Sequence, residues 1–281
     1  MVPMATMADV LFAVNDGDDP TAGAAFESLV LKILNADNKP AVVLLFGVFQ
    51  SRWNLQDRLI PVGLRYGLPM ISVRDALVPA LESEALSDDD FFSDPFHPND
   101  FGHRLMADCI VNYLNALDAA LPSPADAPIP DSAEIGNQFA GIRMIDAEGI
   151  PPGVTIDPGS FSGIDSAVSP FGREVPSPTF PENWYKPEGS GTGDFTKEIT
   201  CRNLVVVYKR SPDAEAFGTV DAFVDGESVD SLDGAPGNGW NNPYCAVLID
   251  ENAPARHTVR IAMDTDSRDK AFTIMAFGYT E

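Results

Sequence analysis

The sequence predicts an α/β domain on a parallel sheet over residues 1–120. A Pro-rich linker at 121–134 and an all-β sandwich or jelly-roll domain over 135–281 follow. Three observations carry this. The first part holds short runs that are apolar throughout, as strands buried on both faces require, with helical periods between them. The stretch Leu121-Pro122-Ser123-Pro124-Ala125-Asp126-Ala127-Pro128-Ile129-Pro130 is too rich in proline to be anything but stiff and extended. Beyond it, runs that alternate apolar and polar residues recur between Gly-, Pro- and Asp-rich turns.

Val10–Val14 is the first buried strand, and it ends in Asn15-Asp16-Gly17-Asp18-Asp19. Asp19 suits a helix N-cap and Pro20 a first helical position. Phe26, Leu29, Val30, Ile33 and Leu34 then form one helical stripe. Ala41–Phe46 is the second strand. A helix from about Trp53 to Tyr66, interrupted by Pro61, leads to a third strand at Met70–Val73. A short helix around Ala76–Leu81 and an acidic loop, Ser87–Ser93, precede a last helix reaching about Leu117, whose apolar face holds Met106, Cys109, Ile110, Tyr113, Leu114 and Leu117. In the second part the expected strands are Leu204–Tyr208, Val220–Val224, Ala246–Ile249, His257–Ala262 and Phe272–Phe277, with Asp225-Gly226 as a hairpin turn.

The chemistry centres on Asp94-Pro95-Phe96-His97-Pro98-Asn99-Asp100-Phe101-Gly102-His103. An aspartate three residues before a histidine, on a proline-held turn, brings a carboxylate to an imidazole. A carboxylate that accepts from Nδ1 fixes the tautomer and leaves Nε2 free as a general base. Taken alone, the spacing also fits a polar loop with a helix N-cap. Asn15-Asp16 lies just past the first strand, and in parallel sheets ligands sit beyond the C-terminal strand ends, so both motifs are expected on one rim.

Val14-Asn15-Asp16, then Phe26-Glu27-Ser28-Leu29-Val30 before a parallel strand, then D-x-x-H-P-N and Gly-His, resemble the SGNH/GDSL hydrolases over about residues 8–118, in particular the branch acting as carbohydrate esterases. The resemblance implies a partial flavodoxin-like three-layer α/β/α fold and Ser-His-Asp acyl transfer on acyl esters, acetyl esters of carbohydrates above all. It implies that His97 is the general base, Asp94 its orienter and Asn15 an oxyanion donor; by residue type alone, Asn15 suits a turn equally well. The phrase Phe223-Val224-Asp225-Gly226, with His257-Thr258-Val259-Arg260-Ile261, resembles β-sandwich modules appended to such esterases.

Two blocks of the family pattern are missing: the G-D-S nucleophile block and the glycine block of a second oxyanion donor. Only nine residues precede Val10, too few for a parallel crossover, so two strands are expected to be absent. Gly159-Ser160-Phe161-Ser162-Gly163 and Gly193-Asp194-Phe195-Thr196 echo nucleophile motifs, but neither lies between an apolar strand and a helix, and both read as loops. Three parallel strands without neighbours expose an apolar edge. Either the chain is the C-terminal piece of an esterase, or another chain covers the edge, as in a homo-oligomer.

A net charge of −24, from 18 Lys and Arg against 42 Asp and Glu, argues against nucleic acid and anionic membranes; it suits solubility, a salty environment, or a neutral ligand such as an acylated carbohydrate or other small ester. Cys109, Cys201 and Cys245 make no disulfide framework. With three histidines and no His/Cys cluster, no metal and no cofactor is expected. Asp16-Gly17-Asp18-Asp19 and Asp88-Asp89-Asp90 lack the spacing of an EF-hand loop. The first residues show no secretory leader, so the chain reads as cytoplasmic as written, and as secreted if residues are missing upstream. Trp184, Trp240 and Tyr244 are candidates to stack on sugars, although core roles are commoner for aromatics of a β-sandwich; His257 reads as structural. Two function classes remain: a serine esterase whose serine lies outside this chain, and a non-catalytic carbohydrate-binding or assembly protein.

Overall fold

A computed structural model describes residues 7–12, 19–119, 128–167 and 180–281. It divides into two compact units, Met1–Ala140 and Gly141–Glu281.

In the first unit three strands, β1 (Met7–Phe12), β2 (Ala41–Phe46) and β3 (Met70–Ser72), pair in parallel in the order β1-β2-β3. Helices α1 (Ala24–Leu34) and α2 (Gln56–Tyr66) connect them, and α3 (Val73–Glu82), α4 (Asp88–Phe91) and α5 (Asp100–Asp118) follow. β2 is buried on both sides, and its two faces feed separate cores. Val42, Leu44 and Phe46 pack with Phe26 and Val30 of α1 and with Leu59 and Val62 of α2. Val43 and Leu45 pack with Ile71, with Val73 and Leu77 of α3, and with Phe91 and Phe92. Burial on both faces is why this strand carries no polar residue.

The start of α1 differs from the expectation. Asp19 does cap, but it caps a turn: its carboxylate accepts from Thr21 N (2.8 Å), Thr21 Oγ1 (2.6 Å) and Gly23 N (2.8 Å). The helix begins after Gly23, whose φ of +106° suits a residue without a Cβ, so Pro20 lies in the turn and outside the helix. The expected acidic loop contains α4, a single turn closed by a capping box between Ser87 and Asp90. On α5, Met106, Cys109, Ile110 and Tyr113 are half-buried against the second core, whereas Leu114 and Leu117 are exposed.

Residues 134–140 belong to this first unit. Glu27, fully buried on α1, accepts from Tyr66 Oη (2.6 Å) and from the backbone N–H groups of Glu134 (2.7 Å), Ile135 (2.5 Å) and Gly136 (2.8 Å). Burial alone would raise its carboxyl pKa; the tyrosine hydroxyl and the three backbone donors outweigh burial and hold it below the ordinary value.

Apart from one 3-10 turn at Thr265–Ser267, the regular structure among the described residues of the second unit is β, and its strands pair antiparallel. Its strands are β4 (Arg143–Ile145), β5 (Thr155–Asp157), β6 (Trp184–Lys186), β7 (Phe195–Arg210), β8 (Thr219–Val224), β9 (Glu227–Asp233), β10 (Asn242–Met263) and β11 (Phe272–Thr280). The two runs at 246–249 and 257–262, expected as separate strands, are both parts of β10, which passes through a register break between Asp250 and Ala255. Hydrogen bonding therefore links all eight strands into one sheet, along the path β4-β11-β7-β10-β8-β9 with β5 on β7 and β6 on β11. The inward parity of β7 also changes, from Phe195, Ile199 and Cys201 to Leu204, Val206 and Tyr208, and both sets line one core.

That core explains the two motifs that echo a nucleophile block. Phe161 and Phe195 are fully buried in it. Their loops bind each other: Ser160 N donates to Gly193 O (3.0 Å) and Ser160 Oγ accepts from Gly193 N (2.7 Å). A Cβ on Gly159 would lie 2.2 Å from Asp194 O, so the glycine is required by this close approach. Both motifs are loop structure.

Candidate active site

The D-x-x-H turn is rooted in the hydrophobic core. Phe91 and Phe92 are buried there, ring centroids 4.7 Å apart, and each anchors backbone beyond it. Asn99 N donates to Phe91 O (2.8 Å), and Phe92 bridges Pro98, so residues 92–98 form a tight loop. Asn99 caps α5 through Oδ1, which accepts from Gly102 N (2.9 Å), while its amide donates to Asp89 O and Asp90 O at 3.2 and 3.1 Å. Gly102 sits so close that a Cβ would lie 2.4 Å from Phe91 O.

Within this frame Asp94 and His97 meet. His97 Nδ1 lies 2.9 Å from Asp94 Oδ2 and 3.0 Å from Oδ1. Asp94 Oδ1 also accepts from the backbone N–H groups of Phe96 (2.8 Å) and His97 (2.9 Å). The backbone donor of Phe96 and the His97 side chain hold the Asp94 carboxyl below its ordinary value. An ionised carboxylate at Nδ1 selects the tautomer with its proton there. Nε2 has no hydrogen-bond partner among the described residues. The His97 side chain is 64% exposed and that of Asp94 46%, so the dyad faces solvent and a ligand can reach it.

The loop leaving the C-terminal end of β2 packs against this turn. Gln50 N donates to Pro95 O (3.1 Å), and the Arg52 guanidinium pairs with Asp88 (2.8 Å). Phe49 stacks on Trp53, with centroids 5.1 Å apart, and meets the Phe96 ring edge-on at 5.4 Å. These contacts place His97 beside the C-terminal rim of the parallel sheet. Phe12 pairs with Phe46, so the chain leaves β1 at the same sheet end. Asn15 and Asp16 lie outside the described residues.

Sequence reasoning missed the aromatic cluster of Phe49, Trp53 and Phe96. The available signal was a pair of large aromatics, Phe49 and Trp53, in the short polar stretch between a buried strand and a helix. His103 lines an open depression with Ser93, Pro98, Asn99, Asp100 and Phe101. Among the described residues no group of three His, Cys, Asp or Glu side chains is placed to hold a metal ion. Likewise, no described helix is long and apolar enough to cross a membrane.

In the second unit Trp184 is buried, with its ring 5.4 Å from Phe195 and 5.8 Å from Phe277. It is core and cannot stack on a sugar. Trp240 is exposed, and the Arg210 guanidinium covers the Tyr244 ring at 3.3 Å. His257 is buried, with Nδ1 2.8 Å from Asp225 Oδ2.

No family model matches the chain, and no curated protein does. Solved structures do. A two-domain esterase (CEX) active on acetylated mannans is similar with a TM-score of 0.79 at 20% identity, over 97% of this chain and 73% of that one. The same esterase co-crystallized with mannopentaose gives a TM-score of 0.77 at 20% identity, over 98% of this chain and 72% of that one. At this identity the likeness is one of fold.

Proposed function

We propose that the chain carries the base half of an SGNH/GDSL-type serine ester hydrolase that removes acyl groups, acetyl above all, from carbohydrates. In this reading the first unit is the partial flavodoxin-like α/β/α domain of that family. The second unit is its β-sandwich companion, associated with the carbohydrate. The observation that carries the reading is the Asp94 carboxylate held at 2.9 and 3.0 Å from His97 Nδ1, with the opposite ring nitrogen open. The two-domain fold shared with an esterase active on acetylated mannans supports the substrate class.

The chemistry follows from the geometry. His97 Nε2 takes the proton of a serine hydroxyl as its oxygen attacks the acyl carbon, and the imidazolium that forms is stabilised by Asp94. The same proton then passes to the departing sugar oxygen. A water, deprotonated in turn by Nε2, attacks the acyl carbon of the acyl-enzyme, and the proton returns from Nε2 to the serine oxygen as the acid leaves. Asn15 is proposed as the amide donor to the oxyanion, a contribution worth about 3 kcal/mol in related hydrolases. The serine is proposed to come from outside these 281 residues.

The test is acetate release from an acetylated manno-oligosaccharide by the protein expressed from its complete natural gene, wild type against His97→Ala and Asp94→Asn. Losses of about 10³-fold or more are expected for both. A fluorophosphonate probe should label one serine outside these residues. Equal rates in wild type and His97→Ala would sink the proposal.

A further inference from the structure

We infer that Trp53 and Phe96, flanking Phe49 beside the dyad, form a platform that stacks against a neutral hexopyranose ring of the substrate. The inference rests on the esterase reading for its substrate class, and on separate observations for its place.

Trp53 is 37% exposed and Phe96 51%, while Phe49 between them is buried at 9%. The two outer rings are therefore mounted on a buried one, Trp53 by stacking at 5.1 Å and 26°, Phe96 edge-on at 5.4 Å and 84°. The loop that presents them is rigidly tied. Arg52 N donates to Phe49 O (2.8 Å) and Phe49 N to Trp53 O (3.0 Å). Arg52 takes the left-handed conformation, at φ 71°, and its guanidinium reaches both Asp88 and Gln50 O. Such a conformation is uncommon for a residue with a side chain, and the surrounding contacts hold it. Large aromatics left open to water on a fixed loop, next to a reactive histidine, are an arrangement for binding.

The chemistry of the occupant follows from the surroundings. An aromatic face carries partial negative charge, which suits the polarised C–H groups on one side of a pyranose. Asp94 and the acidic turn Asp88–Asp90 stand next to the platform, the nearby cation Arg52 is paired with Asp88, and the whole chain carries −24. Anionic polymers and anionic lipid surfaces are repelled by that field. An acyl group alone would need an enclosed pocket, whereas these rings form an open ledge. Phe96 adjoins His97 in sequence, and both backbone N–H groups bind Asp94, so the platform and the dyad are carried on one turn.

The test is calorimetric titration of the full chain with mannopentaose and cellopentaose, comparing wild type, Trp53→Ala, Trp240→Ala and His97→Ala. Circular dichroism checks that each variant is folded. Trp53→Ala is expected to weaken binding about tenfold, the effect of losing one good aromatic contact. His97→Ala, in the protein expressed from its complete natural gene, is expected to abolish acetate release, which separates hydrolysis from binding. Binding unchanged in Trp53→Ala, lost instead in Trp240→Ala, or absent from the wild type would overturn the platform. Acetate release that survives His97→Ala would overturn the esterase reading and leave a Trp53-dependent sugar site standing.

Discussion

Lys197 is the residue least at ease in this structure. Its side chain lies in the core of the β unit, 1% exposed, with Nζ 3.9 Å above the Phe277 ring and no hydrogen-bond partner. Burial pushes its pKa from 10.5 down to about 7. Between those values the unfolded chain holds a proton that the folded chain does not, so stability rises with pH through this window. Below it the full cost of a buried charge is present. Lys197→Met, which keeps the length and the contact with Phe277, should stabilise the β unit by about 1–4 kcal/mol at pH 7. The gain should shrink toward pH 10, as thermal melts across that range would show. A lysine inside an alternating strand gives no sign of its burial, because the pattern Phe195, Lys197, Ile199, Cys201 can be read only once the inward face is known. The dyad was legible for the opposite reason: Asp94 and His97 are three residues apart on a turn, so their contact is local. Phe49 and Phe96 meet across a long sequence separation, and nothing in either segment names the other.

At the scale of elements, two anchors hold the site loop and the chain behind it. Gly102 lets α5 approach the Phe91 carbonyl, where a Cβ would lie at 2.4 Å and would meet Pro98 Cβ at 2.8 Å. Gly102→Ala should cost about 1–3 kcal/mol by overpacking and should lower hydrolysis as well, because the displaced loop carries Asp94 and His97. Denaturant unfolding and acetate release check the two effects. Glu27 gathers four donors. Glu27→Ala should destabilise the first unit by about 3 kcal/mol or more, since it leaves the buried Tyr66 hydroxyl and three N–H groups without their acceptor. Residues 134–140 should then lose protection in hydrogen exchange. The strands β2 and β3 and the helices α2 and α5 were legible from periodicity to within a few residues. The start of α1 was not, because an aspartate caps a turn as readily as a helix and only Gly23 decides between them.

For the whole molecule, both units depend on buried carboxylates that must stay ionised. Asp165 in the β unit would be raised by burial, but Lys209, Thr273 and the Ala167 N–H outweigh it and hold it low, as happens to Glu27 in the first unit. For a depressed carboxyl the contribution to stability is complete above its ordinary value, 4.5 for Glu27 and 3.8 for Asp165, and is lost as pH falls through the folded value. Acid unfolding followed by circular dichroism should therefore begin below about pH 4, and Glu27→Ala should remove part of the pH dependence in the first unit. The division into a parallel α/β part and an antiparallel β part was legible from the change in periodicity and composition. The continuity of the eight strands was not, because a register break inside β10 looks in sequence like the end of one strand and the start of another.

The most direct measurement is the ¹⁵N spectrum of the His97 ring, assigned by its loss in His97→Gln and recorded where the imidazole is neutral. With the Asp94 carboxylate on Nδ1, the shifts should show the proton on Nδ1 and a bare Nε2, and Asp94→Ala should shift the ring toward the Nε2–H form. A wild-type ring with its proton on Nε2, unchanged by Asp94→Ala, would contradict a general base at this position.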